Sequence, residues 1–167
     1  MPLRTQALFP QVVSESVPPA VRAWTRLLRA HAATSRLLSS SLQAEHGLTI
    51  NDYEALYVLA HAEGRRMRRV DLAQRLVLTP SGVTRLLEGL ERAGLVERAA
   101  CPSDLRVTYA QLTESGAAKL EAASCAHVRS VRAVLEQRLS DVEIQELATV
   151  LGKLPGGADG SDGCAAA

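Results

Sequence analysis

Cysteine is scarce and scattered: Cys101, Cys125 and Cys164 are the three in the chain, with no CxxC pair and no metal-ligand spacing. That excludes a disulfide framework and a structural zinc site. The four histidines, His31, His46, His61 and His127, form no i, i+4 ligand pair, so no metal is expected. No apolar run reaches the roughly 18 residues of a membrane span and no charged-then-apolar signal opens the chain. The expectation is a cytoplasmic protein without a membrane partner. There is no nucleophile elbow, no glycine-rich phosphate loop and no HExxH, and the acids and bases are dispersed. Neither an enzyme nor a cofactor is expected. Aromatics are 3% of the residues and only two of the 19 basic residues are Lys, a bias that points to a GC-rich source rather than to a function.

What is present is charge in one place. The 167 residues carry a formal net charge of +1, which by itself announces no polyanionic partner. Between Gly64 and Arg106, however, nine Arg (65, 66, 68, 69, 75, 85, 92, 98, 106) face five acids (71, 88, 91, 97, 104), a balance of +4 that leaves −3 for the remainder. Such a concentration is the footprint expected of phosphate contact, or, more plainly, of a solvated Arg-rich surface. The length suffices for one domain, or for a small domain with arms that complete a core in a dimer.

The charged region contains the most strongly punctuated stretch of the chain. Thr79 suits an N-cap and Pro80 the first helical position, where a missing N–H costs nothing. Leu78 and Val83 fall at the two positions of a hydrophobic staple. Val83, Leu86, Leu87 and Leu90 make an apolar face at helical spacing, leaving Ser81, Thr84, Arg85 and Glu88 on the others. Gly94 stands where a left-handed residue ends a helix, with Leu90 and Leu95 placed for the accompanying contact. A shorter helix from Asp71 precedes this one. Val96 to Ala100 and Val107 to Leu112 can pair as a hairpin through the loop of Cys101, Pro102, Ser103, Asp104, Leu105 and Arg106.

Two helices, a tight stop and a hairpin are the order of parts in a winged helix-turn-helix. Asp71-Leu72-Ala73, Thr79-Pro80-Ser81-Gly82-Val83-Thr84-Arg85-Leu86, Gly94-Leu95-Val96, Asp104-Leu105-Arg106 and Leu112-Thr113-Glu114-Ser115-Gly116 together resemble the MarR family of bacterial transcription regulators, over about residues 20 to 154. The fold class the resemblance implies is mainly α with a small β-hairpin wing, flanked by N- and C-terminal dimerisation helices.

The rest of the chain fits that plan. Residues 1–17 form an arm without a sustained period. A helical stripe of Val21, Trp24, Leu27, Leu28, His31, Leu37, Leu38, Ser41 and Leu42 then runs from about Pro18 to His46, ~43 Å at 1.5 Å per residue, long enough to span a dimer. Thr49 with Asp52 makes a second capped start for a helix that continues to Glu63, where Gly64 stops it, and Met67 to Val70 reads as a short strand. Thr113 can cap a helix reaching about Leu139, and Ser140 with Glu143 caps another whose Ile144, Leu147, Leu151 and Leu154 form a narrow seam that needs a partner. The expected divisions are an arm at 1–17, a helical dimerisation region at 18–47 and 113–154, a DNA-binding lobe at 48–112 and a disordered tail at 155–167.

The resemblance implies a homodimer on a pseudo-palindromic double-stranded operator, released by a small effector, phenolic or an aromatic carboxylate. Thr79, Ser81, Gly82, Thr84 and Arg85 are the candidates for the major groove, with Arg85 suited to a guanine edge. Thr79 is equally well explained as a cap, and Gly82 as relief of packing. In the wing the resemblance has Asp104 orient Arg106 into the minor groove, while Leu105 departs from the small or basic residue usual between them. Candidate effector contacts are Arg22, Trp24, Arg26, His31, Tyr53, Glu54, Tyr57 and His61. Two alternatives stay open: a redox-responsive regulator using Cys101, and a winged-helix interaction protein that no longer binds DNA.

Overall fold

A computed structural model describes residues 17–100 and 107–157 of the chain. The expectations for the arm up to residue 16, for the wing tip at 101–106, with Cys101, Asp104 and Arg106, and for the tail from residue 158 lie outside the described residues. The helices are α1 (Pro19–His46), α2 (Ile50–Ala60), α3 (Arg69–Arg75), α4 (Pro80–Arg92), α5 (Glu114–Glu136) and α6 (Asp141–Leu151); the strands are β1 (Arg66–Arg68), β2 (Val96–Ala100) and β3 (Thr108–Leu112). The chain divides after Ser35 into two compact units, and α1 crosses the division.

In the first unit the apolar stripe of α1 is uncovered, with Val21 50%, Trp24 60% and Leu28 48% exposed. The Thr25 hydroxyl donates one turn back to Val21 O at 2.9 Å.

In the second unit the apolar stripes converge on one core. Leu42 from α1, Tyr53, Leu56 and Leu59 from α2, Leu72 from α3 and Val83, Leu87 and Leu90 from α4 are buried together, closed by Val96, Ala110 and Leu112 of the sheet and Leu120 and Ala123 of α5. The sheet is antiparallel in the order β1-β3-β2, so β1 extends the hairpin to three strands by pairing Met67 with Ala110. Local chemistry fixes the helix starts. Thr49 and Asp52 form a reciprocal capping box, Ser140 and Glu143 another, and the Thr113 and Thr79 hydroxyls accept from Gly116 N and Gly82 N. Each such cap is worth about 1 kcal/mol. The Ser140 backbone N–H also holds the Glu143 carboxyl below its usual pKa.

Several boundaries differ from the sequence expectation. α2 ends at Ala60 rather than Glu63: Ala62 N–H closes a tighter turn onto Leu59 O at 3.2 Å and a separate 3₁₀ turn occupies Glu63–Arg65. β1 is Arg66–Arg68 rather than 67–70, and α3 opens two residues before Asp71, which sits in the first turn and accepts from Arg68 Nε at 2.7 Å. α5 stops at Glu136, short of Leu139. Pro155 to Gly157 still close a turn, Gly157 N–H donating to Leu154 O at 2.9 Å.

The stop between α3 and α4 is costly. Val77 occupies the left-handed region at φ 52° and is 91% exposed, while its N–H and that of Leu78 close the end of α3 onto Gln74 O and Ala73 O. A β-branched side chain in that region costs about 1–2 kcal/mol and here gains no packing in return. Val77→Asn, which tolerates the conformation, is expected to raise unfolding stability by about 1 kcal/mol in a urea titration, without changing the slope.

Candidate nucleic-acid interface

α4 displays what its buried face leaves over. Val83, Leu87 and Leu90 are 2%, 0% and 3% exposed, which turns Ser81, Thr84, Arg85 and Glu88 outward. At its N-terminus the Thr79 hydroxyl accepts from Gly82 N at 3.1 Å and lies 3.2 Å from Ser81 Oγ. A Cβ on Gly82 would sit 3.1 Å from the Thr79 hydroxyl, a tight contact that the cap would have to yield by a few tenths of an ångström to accept. The Thr84 hydroxyl donates to Pro80 O at 2.9 Å, leaving its lone pairs and methyl for an outside partner. The far end is a Schellman stop: Gly94 is at φ 70°, its N–H donates to Glu91 O, and Leu95 N–H donates to Leu90 O.

The arginines of the basic stretch are mostly engaged with the protein. Arg65 meets Glu114 at 3.0 Å, Arg68 meets Asp71, and the Arg66 guanidinium lies 5.1 Å from the Tyr109 ring centroid. Arg98 Nε donates to both carboxylate oxygens of Glu91, at 3.0 and 2.9 Å, so this hydrogen-bonded carboxylate keeps the guanidinium charged and ties β2 to α4. Arg92 donates to Glu88 O, and Arg69 Nη2 is shut from solvent without a partner among the described residues. Arg75 and Arg85 remain: both are exposed and neither makes a hydrogen bond or ion pair among the described residues. Charge counting along the sequence could not make this distinction, because it does not say which arginine meets which partner, and those of Arg65 and Arg66 lie more than 40 residues away.

The sequence pattern of the MarR family matches residues 46–106. The crystal structure of AbsC, a MarR family transcriptional regulator from Streptomyces coelicolor, superposes with a TM-score of 0.70 at 34% identity, covering 81% of this chain and 91% of that one. The chain belongs to the MarR family. Sco3205, a MarR family regulator from the same organism solved in complex with DNA, gives a TM-score of 0.70 at 30% identity over 78% of this chain and 81% of that one. The HTH-type transcriptional repressor YetL of Bacillus subtilis (strain 168) is 34% identical over 111 residues, 66% of each chain, so the match spans just under two thirds of that relative. These MarR-family relatives are transcription regulators, not enzymes.

In this MarR-family chain the candidate effector residues fall into two sets. Arg22, Trp24, Arg26 and His31 are exposed on α1 in the first unit. In the second unit Tyr53 and Tyr57 of α2 and His61 at its C-cap follow one another, with ring centroids 6.4 Å apart for Tyr53 and Tyr57 and 4.2 Å for Tyr57 and His61, and the exposed Glu54 lies beside them in sequence. Tyr53 is a core residue, 4% exposed, its hydroxyl 3.3 Å from Ser124 Oγ. The stack gains a member that sequence reasoning passed over: His127 of α5 lies 4.3 Å from the Tyr53 centroid, a contact no local spacing betrays. Among the described residues no group of three or more His, Cys, Asp or Glu is arranged to hold a metal, and no helix is long and apolar enough to cross a membrane. Cys125, on α5, is a free and exposed thiol.

Burial pushes the His127 imidazole below its ordinary pKa, and its Nδ1 has no partner among the described residues. The folded state therefore keeps the ring neutral while the unfolded chain protonates it near pH ~6.5. Stability is full above that pH, begins to fall as pH drops below it, and the loss is complete below the depressed folded value. Urea titrations from pH 7.5 to 5 are expected to show His127→Phe losing less stability on acidification than the parent chain.

Proposed function

We propose that the chain is a homodimeric, operator-binding transcription regulator, a repressor released by a small phenolic or aromatic carboxylate ligand. The observation that carries the reading is the outward Arg85, unpaired among the described residues, on a helix whose N-terminus is capped and exposed. Thr79, Ser81, Gly82, Thr84 and Arg85 would enter the major groove, with Gly82 bringing backbone close and Arg85 reading a guanine edge. Asp104 and Arg106, carried by the β2–β3 hairpin, would follow the adjacent minor groove. Sco3205, crystallised with DNA, and the repressor YetL support the reading by kinship.

A two-fold dimer places two such helices ~34–36 Å apart, one in each of two successive major grooves. Its support is uncovered apolar surface: Val21, Trp24 and Leu28 on α1, and Val142 at 67%, Leu147 at 39%, Val150 at 56% and Leu154 at 45% on or just past α6. Ile144 and Leu151 of the expected seam are already half-buried, so the seam's outer members are the ones that need a second copy. An effector meeting Tyr57 and His61, beside the stacked Tyr53, would act by favouring one dimer geometry over another.

Arg85→Ala is expected to weaken binding to a selected operator by ~1–3 kcal/mol and to relax one base position; unchanged affinity in a salt-controlled titration would remove Arg85 from the groove. Trp24 is the one tryptophan of the chain, so dilution that separates the dimer should shift its emission to the red. An emission maximum constant over the whole concentration range, at the wavelength of a fully solvated indole, would contradict the dimer.

A further inference from the structure

The turn between α4 and β2 is clasped from outside by the first turn of α5. The Thr113 hydroxyl donates to Gly94 O at 2.7 Å and, with its lone pair, accepts from Gly116 N at 3.0 Å. Thr113 N–H donates to Leu95 O at 3.2 Å. Gly116 is packed so closely over the same turn that a Cβ there would run into the Leu95 carbonyl oxygen and the Leu112 side chain. One hydroxyl thus serves two elements: it caps α5 and holds the carbonyl on which α4 stops. On the other side of that stop, Glu91 of α4 grips Arg98 of β2.

We propose that Thr113 is a positioning residue for DNA recognition, its hydroxyl locking the α4 stop to α5 so that the groove helix, the wing strands and α5 turn as one body. It touches no nucleotide itself. Its effect is to fix the angle between α4 and the hairpin, and a duplex is read correctly only when both are seated at once. Movement of α5 then reaches the groove helix through two hydrogen bonds and one close backbone contact rather than through a loose loop.

Three substitutions separate capping from clasping. Thr113→Ser keeps both hydrogen bonds. Thr113→Asp keeps the cap, since a carboxylate accepts from Gly116 N and suits a helix N-terminus, but it has no proton to give to Gly94 O. Thr113→Val loses both. The readout is affinity for a selected operator divided by affinity for random duplex, measured at two salt concentrations with helicity followed by circular dichroism. The added charge of Asp weakens both duplexes alike, whereas mispositioning falls on the operator alone.

The expected result is an unchanged ratio for Thr113→Ser and a fall of about tenfold for Thr113→Asp with helix content retained, the size of one lost hydrogen bond. A Thr113→Asp protein that keeps the parental ratio overturns the proposal, and it decides the matter even if Thr113→Val fails to fold. The inference rests on the DNA-binding reading, and the two fail differently: a parent chain that prefers no sequence over random duplex sinks that reading, whereas a selective parent with an equally selective Thr113→Asp sinks only this one.

Discussion

Burial of Val83, Leu87 and Leu90 decides how the rest of the molecule is used. These side chains lie against the buried leucines of α2 and α3 and against β2, and at about 25 cal/mol per Å2 of apolar surface each supplies roughly 1.5–3 kcal/mol toward one orientation of α4. A helix seated on that face cannot roll without pulling apolar surface into water. Arg85, Ser81 and Thr84 are therefore outward because the leucines are inward. The same constraint explains the composition of α4, where small and hydroxyl residues cluster at the end that is both capped and uncovered.

Electrostatics then selects among the arginines. Ion pairs on the surface contribute little stability, so the pairs of Arg65, Arg68 and Arg98 matter chiefly as links: Arg65 joins the turn after α2 to α5, Arg68 joins β1 to α3, and Arg98 joins β2 to α4. Their positive charge still contributes to the field over this side of the lobe. Arg75 and Arg85, exposed and free of such duties among the described residues, keep their guanidinium donors for another molecule.

Much of this was legible in the sequence, and the reason is locality. Thr79 with Pro80, Thr49 with Asp52, Ser140 with Glu143, and Gly94 with Leu90 and Leu95 act within five residues of one another, so their spacing alone specifies a start or a stop. What stayed hidden depends on residues far apart in the chain. A short strand near Met67 is legible, but nothing there announces that it pairs with Ala110 to make a third strand of the sheet. Gly116 is demanded by the Leu95 carbonyl, His127 joins the α2 stack from α5, and the clasp at Gly94 comes from Thr113. Val77 was invisible for the opposite reason: its side chain argues against the left-handed turn it makes, and the closure of α3 onto Gln74 O and Ala73 O overrules it. For the interface, sequence supplied the outward face of α4, but it could not separate free arginines from paired ones.

The central claim is that two α4 helices, held by a paired subunit, enter the same face of one duplex. Hydroxyl-radical footprinting of the intact chain on a selected operator tests this most directly. The account predicts two protected patches centred about 10 base pairs apart on one face of the helix, flanked by weaker protection from the wings. A single patch, or protection spread evenly along the fragment, would contradict it.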